Sequence, residues 1–380
     1  MRFLFLEPFF GGSHRDFAEG LVAHTRHEID LLTLPARFWK WRMRGAALHF
    51  FEKIESIERY DGLITCDLMS VSDLKALLGP ACPPILVYFH ENQLTYPLAP
   101  GESIDFQFGF TDITTALVAD RILFNSHTHF EAFFSRLPGF INMMPEFRPK
   151  WIIEEIRKKA DVLYPGCQLP GVREEGSMAG INGTPPLVIW NHRWEFDKGP
   201  KDFFLALDMI LEKGLDFRLA LLGENFQAVP KEFIWARQRY GDRIEQYGHV
   251  ESKEAYFDWL KKGEIVISTA QQENFGISTV EAVYFGCFPI LPHRLSYPEI
   301  IPEKFHGDVL YKDNMGLSEK VIAFVSDRCK YQKTAEELSA HMERFSWEKL
   351  IERYDDELET LSYIPKGCNC PNRHGDVNAN

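Results

Sequence analysis

Short apolar runs alternate with longer amphipathic stretches along the first half of the chain. Apolar runs that end near polar, Gly or Pro residues predict buried parallel strands at residues 2–7, 28–33, 62–65, 85–90 and 121–125. Between them, helical patterns cover residues 13–25, 39–57, 70–78, 106–119 and 126–137. This alternation predicts a parallel sheet that is covered by helices.

The pattern is interrupted at residues 164–186, which contain five Gly and four Pro, and then resumes. The second series predicts strands at residues 187–191, 218–223, 243–248, 265–269, 288–291 and 309–311. Its helices are predicted at residues 200–213, 252–262, 278–285 and 317–328. We therefore predict an α/β protein with two Rossmann-like domains, at residues 1–165 and 187–345, and a linker at 166–186. A last helix is predicted at 346–362 and a disordered tail at 363–380.

The bulk properties narrow the functional classes. The chain has 380 residues, enough for two α/β domains. Its net charge of −13 argues against non-specific coating of nucleic acid, which requires a basic protein. Seven Cys, an odd number, indicate reduced thiols and a cytoplasmic location. No apolar stretch has the length of a transmembrane helix, so no integral membrane segment is predicted.

The second domain carries two glutamates, Glu273 and Glu281, directly after a predicted strand. Gly276 permits a tight loop between them, and Ser278 is expected to cap the helix that carries Glu281. The free N–H groups of Asn274, Phe275, Gly276 and Ile277 and of that helix start could hold a diphosphate. The alternative is one solvated loop Glu and one ordinary helix Glu.

Two cations follow the first strand of the second domain. Arg193 and Lys198 precede a helix that opens at Pro200, a position at which anion-binding loops are common. They could bind a diphosphate and stabilise its charge as it leaves. Ordinary surface charge is the alternative.

Polar residues also end three strands of the first domain. Gly11 and Gly12 allow close approach of the backbone, and Ser13 is expected to cap the next helix. The polar residues that follow later strands are His90, Glu91, Asn92 and Gln93, and then Asn125, Ser126 and His127. These side chains could face a sugar or an acceptor, or they could be satisfied structural groups. A dinucleotide-binding oxidoreductase is disfavoured because G-x-G-x-x-G is absent from both domains.

A basic and aromatic stretch offers an acceptor surface on an acidic protein. No Asp or Glu occurs at residues 31–51, where cations and tryptophans are interleaved: Arg37, Trp39, Lys40, Trp41, Arg42 and Arg44. This composition suits a phosphate backbone with unstacked bases. The same amphipathic stretch would also suit a membrane surface, or form a solvated helix face.

Metal chemistry has little support in the sequence. Cys368, Cys370 and His374 provide one ligand fewer than a closed zinc site, and they lie in the predicted tail. No Asp-x-Asp motif occurs. We therefore expect no metal requirement.

Together, these segments resemble a known family. The Arg193 and Lys198 loop followed by Glu273 and Glu281 resembles the retaining glycosyltransferases of family 4, which have the GT-B fold. More specifically, residues 7–14 (EPFFGGSH), 89–93 (FHENQ) and 191–198 (NHRWEFDK) are similar to the tRNA-queuosine α-mannosyltransferase family. The resemblance covers roughly residues 1–360.

The resemblance implies two domains facing a central cleft, a C-terminal helix that crosses back to the first domain, and no metal cofactor. It further implies retaining transfer of mannose from GDP-mannose to queuosine at the wobble position of tRNA(Asp). Arg193 and Lys198 would bind the diphosphate, Glu273 the donor sugar and Glu281 the ribose, with His90 near the reacting carbon. Gly11 and Gly12 would approach the donor. Ser13, His14, Glu91, Asn92, Gln93 and the basic stretch would contact the acceptor.

Two other functions remain open at this point. A GT-B enzyme could glycosylate a lipid or small molecule at a membrane surface, and a sugar-nucleotide epimerase would share the architecture. An epimerase needs acid and base groups at the sugar carbon but no surface for a macromolecular acceptor.

Overall fold

The chain forms two compact units in a computed structural model that describes residues 1–98, 101, 103–170, 184–223 and 229–366. The first unit comprises Met1–Gly166 and the chain from Trp347 onward, and the second comprises Cys167–Ser346. Residues 171–183 of the predicted linker, residues 367–380 of the predicted tail, and the tail ligands Cys368, Cys370 and His374 lie outside the described residues.

The first unit contains a six-stranded parallel sheet in the order β2-β1-β3-β4-β5-β6. The strands are β1 (Arg2–Phe10), β2 (Glu28–Pro35), β3 (Gly62–Cys66), β4 (Ile85–Phe89), β5 (Arg121–Phe124) and β6 (Ala160–Val162). The interior strands β3 and β4 are buried at every residue, as expected for a parallel sheet with both faces covered.

Helices cover both faces of this sheet. They are α1 (Gly12–His24), α2 (Trp39–Lys53), α3 (Val71–Leu78), α4 (Phe106–Val118), α5 (His127–Asn142) and α6 (Ile152–Arg157). One core contains residues of α2 to α6, and a second core contains residues of α1. Each helix from α1 to α5 follows a strand, so its first turn lies near the carboxyl ends of the strands, where ligands bind in such sheets.

The second unit repeats the architecture, with strand order β12-β11-β10-β7-β8-β9. Its strands are β7 (Leu187–Asn191), β8 (Arg218–Leu222), β9 (Ile244–Gly248), β10 (Ile265–Ile267), β11 (Phe288–Pro292) and β12 (Leu310–Tyr311). Its helices are α7 (Pro200–Glu212), α8 (Lys231–Tyr240), α9 (Lys253–Lys262), α10 (Ile277–Tyr284), α11 (Tyr297–Ile300), α12 (His306–Val309), α13 (Asn314–Ser326) and α14 (Gln332–Met342).

The last helix, α15 (Trp347–Ser362), belongs to the first unit and packs on α1. The indole of Trp347 is fully buried and lies against Gly20 and Gly166, where a β-carbon would come within 2.0 and 2.2 Å of it. Arg121 donates to both carboxylate oxygens of Glu357, at 2.6 and 2.7 Å. Two glycines and an ion pair therefore fix α15 to the first unit.

The two predicted serine caps are wrong. α1 begins at Gly12, so Ser13 lies inside the first turn, and the preceding Gly11 is extended. α10 begins at Ile277, so Ser278 is also inside the helix, and the cap is Gly276 at φ 99°. That left-handed backbone favours glycine, and the carbonyl of Gly276 accepts from the N–H groups of Thr279 and Val280.

Candidate active site

A tight turn in the second unit carries Lys198. β7 ends at Asn191, a 3-10 turn spans Phe196–Lys198, and Gly199 then adopts a left-handed backbone at φ 65° before Pro200 starts α7. A β-carbon on Gly199 would lie 2.4 Å from the carbonyl oxygen of Thr269. The Thr269 hydroxyl in turn donates to the carbonyls of Lys198 and Gly199, both at 2.9 Å. Only glycine fits this turn against the end of β10.

The Lys198 ammonium is buried and points at the Glu273 loop. It donates to the carbonyl of Gln272 at 2.7 Å and to Glu273 Oε2 at 3.5 Å. Asp197 Oδ2 lies 3.3 Å from the ammonium as an ion pair. Neither oxygen of the Asp197 carboxylate accepts a hydrogen bond from the described residues. The structure therefore brings two predicted donor-site residues, Lys198 and Glu273, into contact.

Glu281 occupies the other side of the α10 start. Its carboxylate accepts from Lys253 Nζ at 2.7 Å and from the Tyr256 hydroxyl at 3.0 Å, and both donors lie on α9. Asn191 joins this group to the loop, because its Nδ2 donates to Tyr256 Oη at 3.0 Å and to the Ser278 carbonyl at 2.6 Å.

The loop between the two glutamates offers mainly backbone. Phe275 is buried against the ring of Phe345, and its carbonyl accepts from the Ser296 hydroxyl at 2.7 Å. Asn274 accepts from Gln272 Nε2 at 2.9 Å. The first N–H groups of an α-helix have no partner inside the helix, so the start at Ile277 suits an anion. The Arg193 guanidinium lies 3.3 Å from the Glu195 carboxylate, and the Arg193 side chain is 41% exposed.

In the first unit, a buried carboxylate organises the loop after β1. Glu7 Oε1 accepts from the Phe9 N–H at 2.8 Å and from Cys66 Sγ at 3.5 Å, and His14 Nδ1 lies 3.3 Å away. Burial alone would lower the pKa of His14, but the charge of Glu7 and its hydrogen bond outweigh this, and the pKa of His14 is raised. The His14 ring packs on the His90 ring, with centroids 4.0 Å apart.

The two stacked histidines have opposite tendencies. Burial lowers the pKa of His90 well below its usual range, and the positive charge of His14 lowers it further. Pairs whose pKa values are pushed apart in this way suit different roles in proton transfer and charge stabilisation. His14 therefore favours its protonated form more strongly than an ordinary histidine, and His90 favours its neutral form.

Two aspartates shape the loop that follows β4. Asp67 Oδ1 accepts from the N–H groups of His90 at 2.8 Å and Glu91 at 3.5 Å, and Asp112 Oδ2 accepts from the Gln93 N–H. Burial, with the nearby charge of Glu91, raises the pKa of Asp67 to about 7. Burial also raises the pKa of Asp112, and the charge of Asp67 adds to this.

Asn92 and Asn125 connect this loop to the end of β5. Asn92 Oδ1 accepts from Leu94, and its Nδ2 donates to His129 Nε2 at 2.8 Å. Asn125 Oδ1 lies 2.8 Å from His129 Nδ1, and its Nδ2 donates to the His90 carbonyl at 2.9 Å. Asn92 is buried, so in this structure its side chain holds the loop rather than facing solvent.

The basic stretch forms the first turns of α2. Arg37, Lys40 and Trp41 are exposed, whereas Trp39 is half-buried against Phe108. The remaining two arginines are partly engaged: Arg42 donates to the Pro35 carbonyl at 3.2 Å, and Arg44 donates to Gln107 Oε1 at 2.8 Å.

Sequence reasoning missed several residues of these groups: Asp67, Asp112, Asp197, Lys253 and Tyr256. Asp67 could have been found, because it ends an apolar strand just as His90 does. Lys253 also had a signal, since a cation in the first turn of a helix opposes the helix dipole unless a partner holds it.

Three side chains lie close enough together to ligate a metal ion. Within the described ranges, the group is Glu7, His14 and Cys66, all buried. Their ligand atoms already contact one another, and burial, with the charge of Glu7, raises the pKa of the Cys66 thiol. A protonated thiol is a poor metal ligand, so we treat this group as an internal network.

None of the helices in the described parts of the chain is both long and apolar enough to span a membrane.

Comparison with known families covers both units. A family model described as tRNA-queuosine alpha-mannosyltransferase N-terminal matches residues 2–167. A second, described as Glycosyl transferases group 1, matches residues 173–342. Among solved structures, sucrose-phosphate synthase from Thermosynechococcus elongatus superimposes with a TM-score of 0.72 at 15% identity, covering 95% of this chain and 99% of the other. HepE from Anabaena in complex with UDP gives a TM-score of 0.64 at 15% identity, with 95% and 100% coverage. The chain therefore has the GT-B fold of two Rossmann-like domains.

Two curated relatives define the family more closely. A GDP-mannose:cellobiosyl-diphosphopolyprenol alpha-mannosyltransferase from Xanthomonas oryzae is 24% identical over 194 residues, covering 50% of this chain and 51% of the relative. The tRNA-queuosine alpha-mannosyltransferase of Drosophila melanogaster is 36% identical over 364 residues, which cover 93% of this chain and 95% of the relative. The family model that matches the first unit and this near full-length relative have the same description, so the chain belongs to the tRNA-queuosine alpha-mannosyltransferase family of glycosyltransferases.

Proposed function

We propose that this protein transfers mannose from GDP-mannose to queuosine at the wobble position of tRNA(Asp), with retention of configuration and without a metal ion. Family membership supports the acceptor and the sugar. The observation that carries the donor half is the contact between Lys198 and Glu273 beside the start of α10.

The donor is held by residues of the second unit. The Lys198 ammonium and the Arg193 guanidinium bind the diphosphate, which also takes N–H groups at the start of α10. Glu273 accepts from hydroxyls of the mannose, and Glu281 accepts from the paired hydroxyls of the ribose. Lys253 and Tyr256 orient the Glu281 carboxylate, because both donate to it.

Transfer proceeds on the face from which the nucleotide leaves. The bond between the sugar and the phosphate breaks, the acceptor hydroxyl bonds to the same carbon, and the departing phosphate takes the hydroxyl proton. Lys198 and Arg193 stabilise the charge on the leaving diphosphate, which is the work that a divalent cation performs in other enzymes. Gly11, Gly12 and His90 of the first unit have the remaining donor roles in this proposal.

The acceptor is held by the first unit. Arg37, Lys40 and Trp41 contact the RNA backbone and unstacked bases, while Ser13, His14, Glu91 and Gln93 contact the modified nucleoside. A body of net charge −13 repels RNA in general, so binding depends on this focused basic surface. We place the reaction in the cytoplasm, where tRNA is available.

Radiolabelled GDP-mannose and total tRNA test the proposal. We expect label in tRNA from cells that contain queuosine and none in tRNA from cells that lack it, with EDTA having no effect. Lys198→Ala should lower transfer about a hundredfold, the scale of losing one charge-stabilising donor. Lys201→Ala, an exposed cation in the first turn of α7, is the matched control and should leave transfer unchanged.

The other outcomes separate the alternatives. Label in neither tRNA sample would refute the queuosine acceptor. Conversion of GDP-mannose without any acceptor would indicate an epimerase, and label in added lipid would indicate a membrane acceptor. Loss of activity in EDTA that is restored by a divalent cation would refute metal independence.

A further inference from the structure

Two exposed phenylalanines in the first unit have a backbone conformation that phenylalanine rarely adopts. Among the residues that the structure describes, three non-glycine residues have positive φ, and two of them are Phe38 at 57° and Phe147 at 52°. Such a conformation costs about 1–2 kcal/mol for a residue with a β-carbon. Both rings are nevertheless exposed, at 69% and 85%. Backbone strain that presents an apolar ring to solvent suggests a binding role.

Phe147 lies in the segment of residues 143–151, which combines cationic and aromatic residues as the 37–44 stretch does. Phe38 is preceded by Arg37. Phe147 is followed directly by Arg148, and Lys150 lies three positions after Phe147. The segment ends at Trp151, which is 54% exposed. Glu146 is the single acidic residue in the two segments taken together. Cations therefore alternate with aromatic rings in both.

The exposed 143–151 segment is held in place by hydrogen bonds. Arg148 Nε donates to the Met144 carbonyl at 2.8 Å. The Lys150 N–H donates to the Arg148 carbonyl at 2.9 Å, and the Ile152 N–H donates to the Pro149 carbonyl at 3.2 Å. These bonds fix the turn, so the Phe147 ring is presented in a defined position and loses little entropy on binding.

The first turn of α4 connects the two segments. On one side, Arg44 donates to Gln107 Oε1 at 2.8 Å. On the other, Phe106 meets Phe140, three residues before the 143–151 segment, with ring centroids 6.1 Å apart. Phe106 is itself 49% exposed. The two segments therefore flank one helix end on the same unit.

We propose that residues 143–151, together with Phe106 and Phe38, extend the acceptor surface as a second RNA contact, in which Phe147 and Trp151 stack on unpaired bases and Arg148 and Lys150 hold the adjoining phosphates. This inference rests on the proposed function. Aromatic rings interleaved with cations are the arrangement that binds single-stranded RNA without base-specific hydrogen bonds. The partner is an RNA rather than an acidic protein, because two strained aromatic rings match the flat faces of bases.

Binding of purified tRNA, measured by filter retention at two salt concentrations, tests the inference without requiring activity. The double variant F147A/W151A removes both rings and should weaken binding by at least about fivefold to a hundredfold, which is the range for the loss of a single stacked base. The variant R148A/K150A should weaken binding and reduce its dependence on salt. In the transfer assay, the KM for tRNA should rise while the Kd for GDP-mannose is unchanged.

Tyr363→Ala is the matched control, since Tyr363 is 78% exposed in the same unit beyond the end of α15, and its removal should leave tRNA binding unchanged. Unchanged tRNA binding by both double variants would overturn the inference even if the enzyme mannosylates tRNA normally. Loss of binding to anionic phosphatidylserine vesicles, with tRNA binding intact, would also overturn it. If the wild type binds tRNA through these residues but transfers no mannose to it, the inference stands and the proposed function fails.

Discussion

The turn that holds Lys198 makes a quantitative prediction through Gly199. Gly199→Ala places a β-carbon on a left-handed backbone and brings it 2.4 Å from the Thr269 carbonyl oxygen. Gly214→Ala is the matched control in the same unit, because Gly214 has φ 72° and no heavy atom lies within 4 Å of its β-carbon position. The two substitutions share the backbone cost and differ in the clash.

The expected magnitudes follow from this difference. The left-handed backbone costs about 1–2 kcal/mol with a β-carbon, so Gly214→Ala should lose about that much unfolding free energy. Gly199→Ala should lose a further amount of about 1–3 kcal/mol, typical of an overpacked interior. Part of this cost is relieved if the turn moves away from β10. That movement would carry Lys198 away from Gln272 and the donor.

Urea unfolding and nucleotide binding measure the two consequences. We expect Gly199→Ala to unfold at lower urea than Gly214→Ala and to bind GDP at least about tenfold more weakly, which corresponds to one charged hydrogen bond. Gly214→Ala should bind GDP normally. Equal stability and equal GDP affinity in the two variants would refute the argument that Gly199 positions Lys198.

Three further substitutions probe other contacts. Gly20→Ala should destabilise the first unit by about 1–3 kcal/mol, because its β-carbon would meet the indole of Trp347 at 2.0 Å. Glu7→Gln should lower the pKa of His14 in an NMR titration. A raised pKa of His14 stabilises the folded state at low pH, and this stabilisation is lost as the pH rises through the pKa of the folded state. The variant should therefore lose less unfolding free energy than the wild type between acid and alkaline pH. Lys253→Met should lower stability by about 1–3 kcal/mol and weaken GDP binding, because the buried carboxylate it contacts at 2.7 Å loses its cation.

Each of these has a control in the same unit. Gly139→Ala, in exposed helix with no atom within 4 Å, should stabilise by about 0.5–1 kcal/mol. Glu19→Gln breaks only the exposed pair with Arg15 and should leave the His14 titration unchanged. Lys261→Met, on the same helix as Lys253, should leave GDP binding intact. If any control behaved like its partner, the contact assigned to that partner would be refuted.

Interior strands such as β3, β4 and β7 were predictable because they are buried on both faces and therefore appear as apolar runs, whereas the edge strands β2 and β9 are only partly buried. The helix α8 was missed because half of its residues are charged or polar and its buried face is narrow. Lys231–Tyr240 buries three of its ten residues. The serine caps failed for a different reason: a glycine one or two residues earlier took the conformation that starts the helix, so the serine became part of the first turn.

The contact between two candidate site residues was predictable where each of them follows a strand of the same sheet. Lys198 and Glu273 were identified because each follows a strand, and both loops lie at the carboxyl edge of one sheet. Lys253 and Asp112 were not identified, because each lies in a helix rather than in a loop that follows a strand, and their partners are Glu281 and the Gln93 backbone. The sequence pattern predicts which loops follow the carboxyl ends of strands, but it does not predict which side chains of different elements contact one another.

The contacts of Lys198 bear on both the folded state and the donor role that we propose for this residue. A buried ammonium without a partner would be strongly unfavourable, so the apo protein must compensate it. It does so through three groups: the Gln272 carbonyl at 2.7 Å, the Asp197 carboxylate at 3.3 Å and the Glu273 carboxylate at 3.5 Å. In the proposed function, a diphosphate replaces the Glu273 contact while the two shorter contacts stay in place, so the ammonium need not move far. Under the same proposal, the cation needs little reorganisation before it stabilises the charge that grows on the departing phosphate.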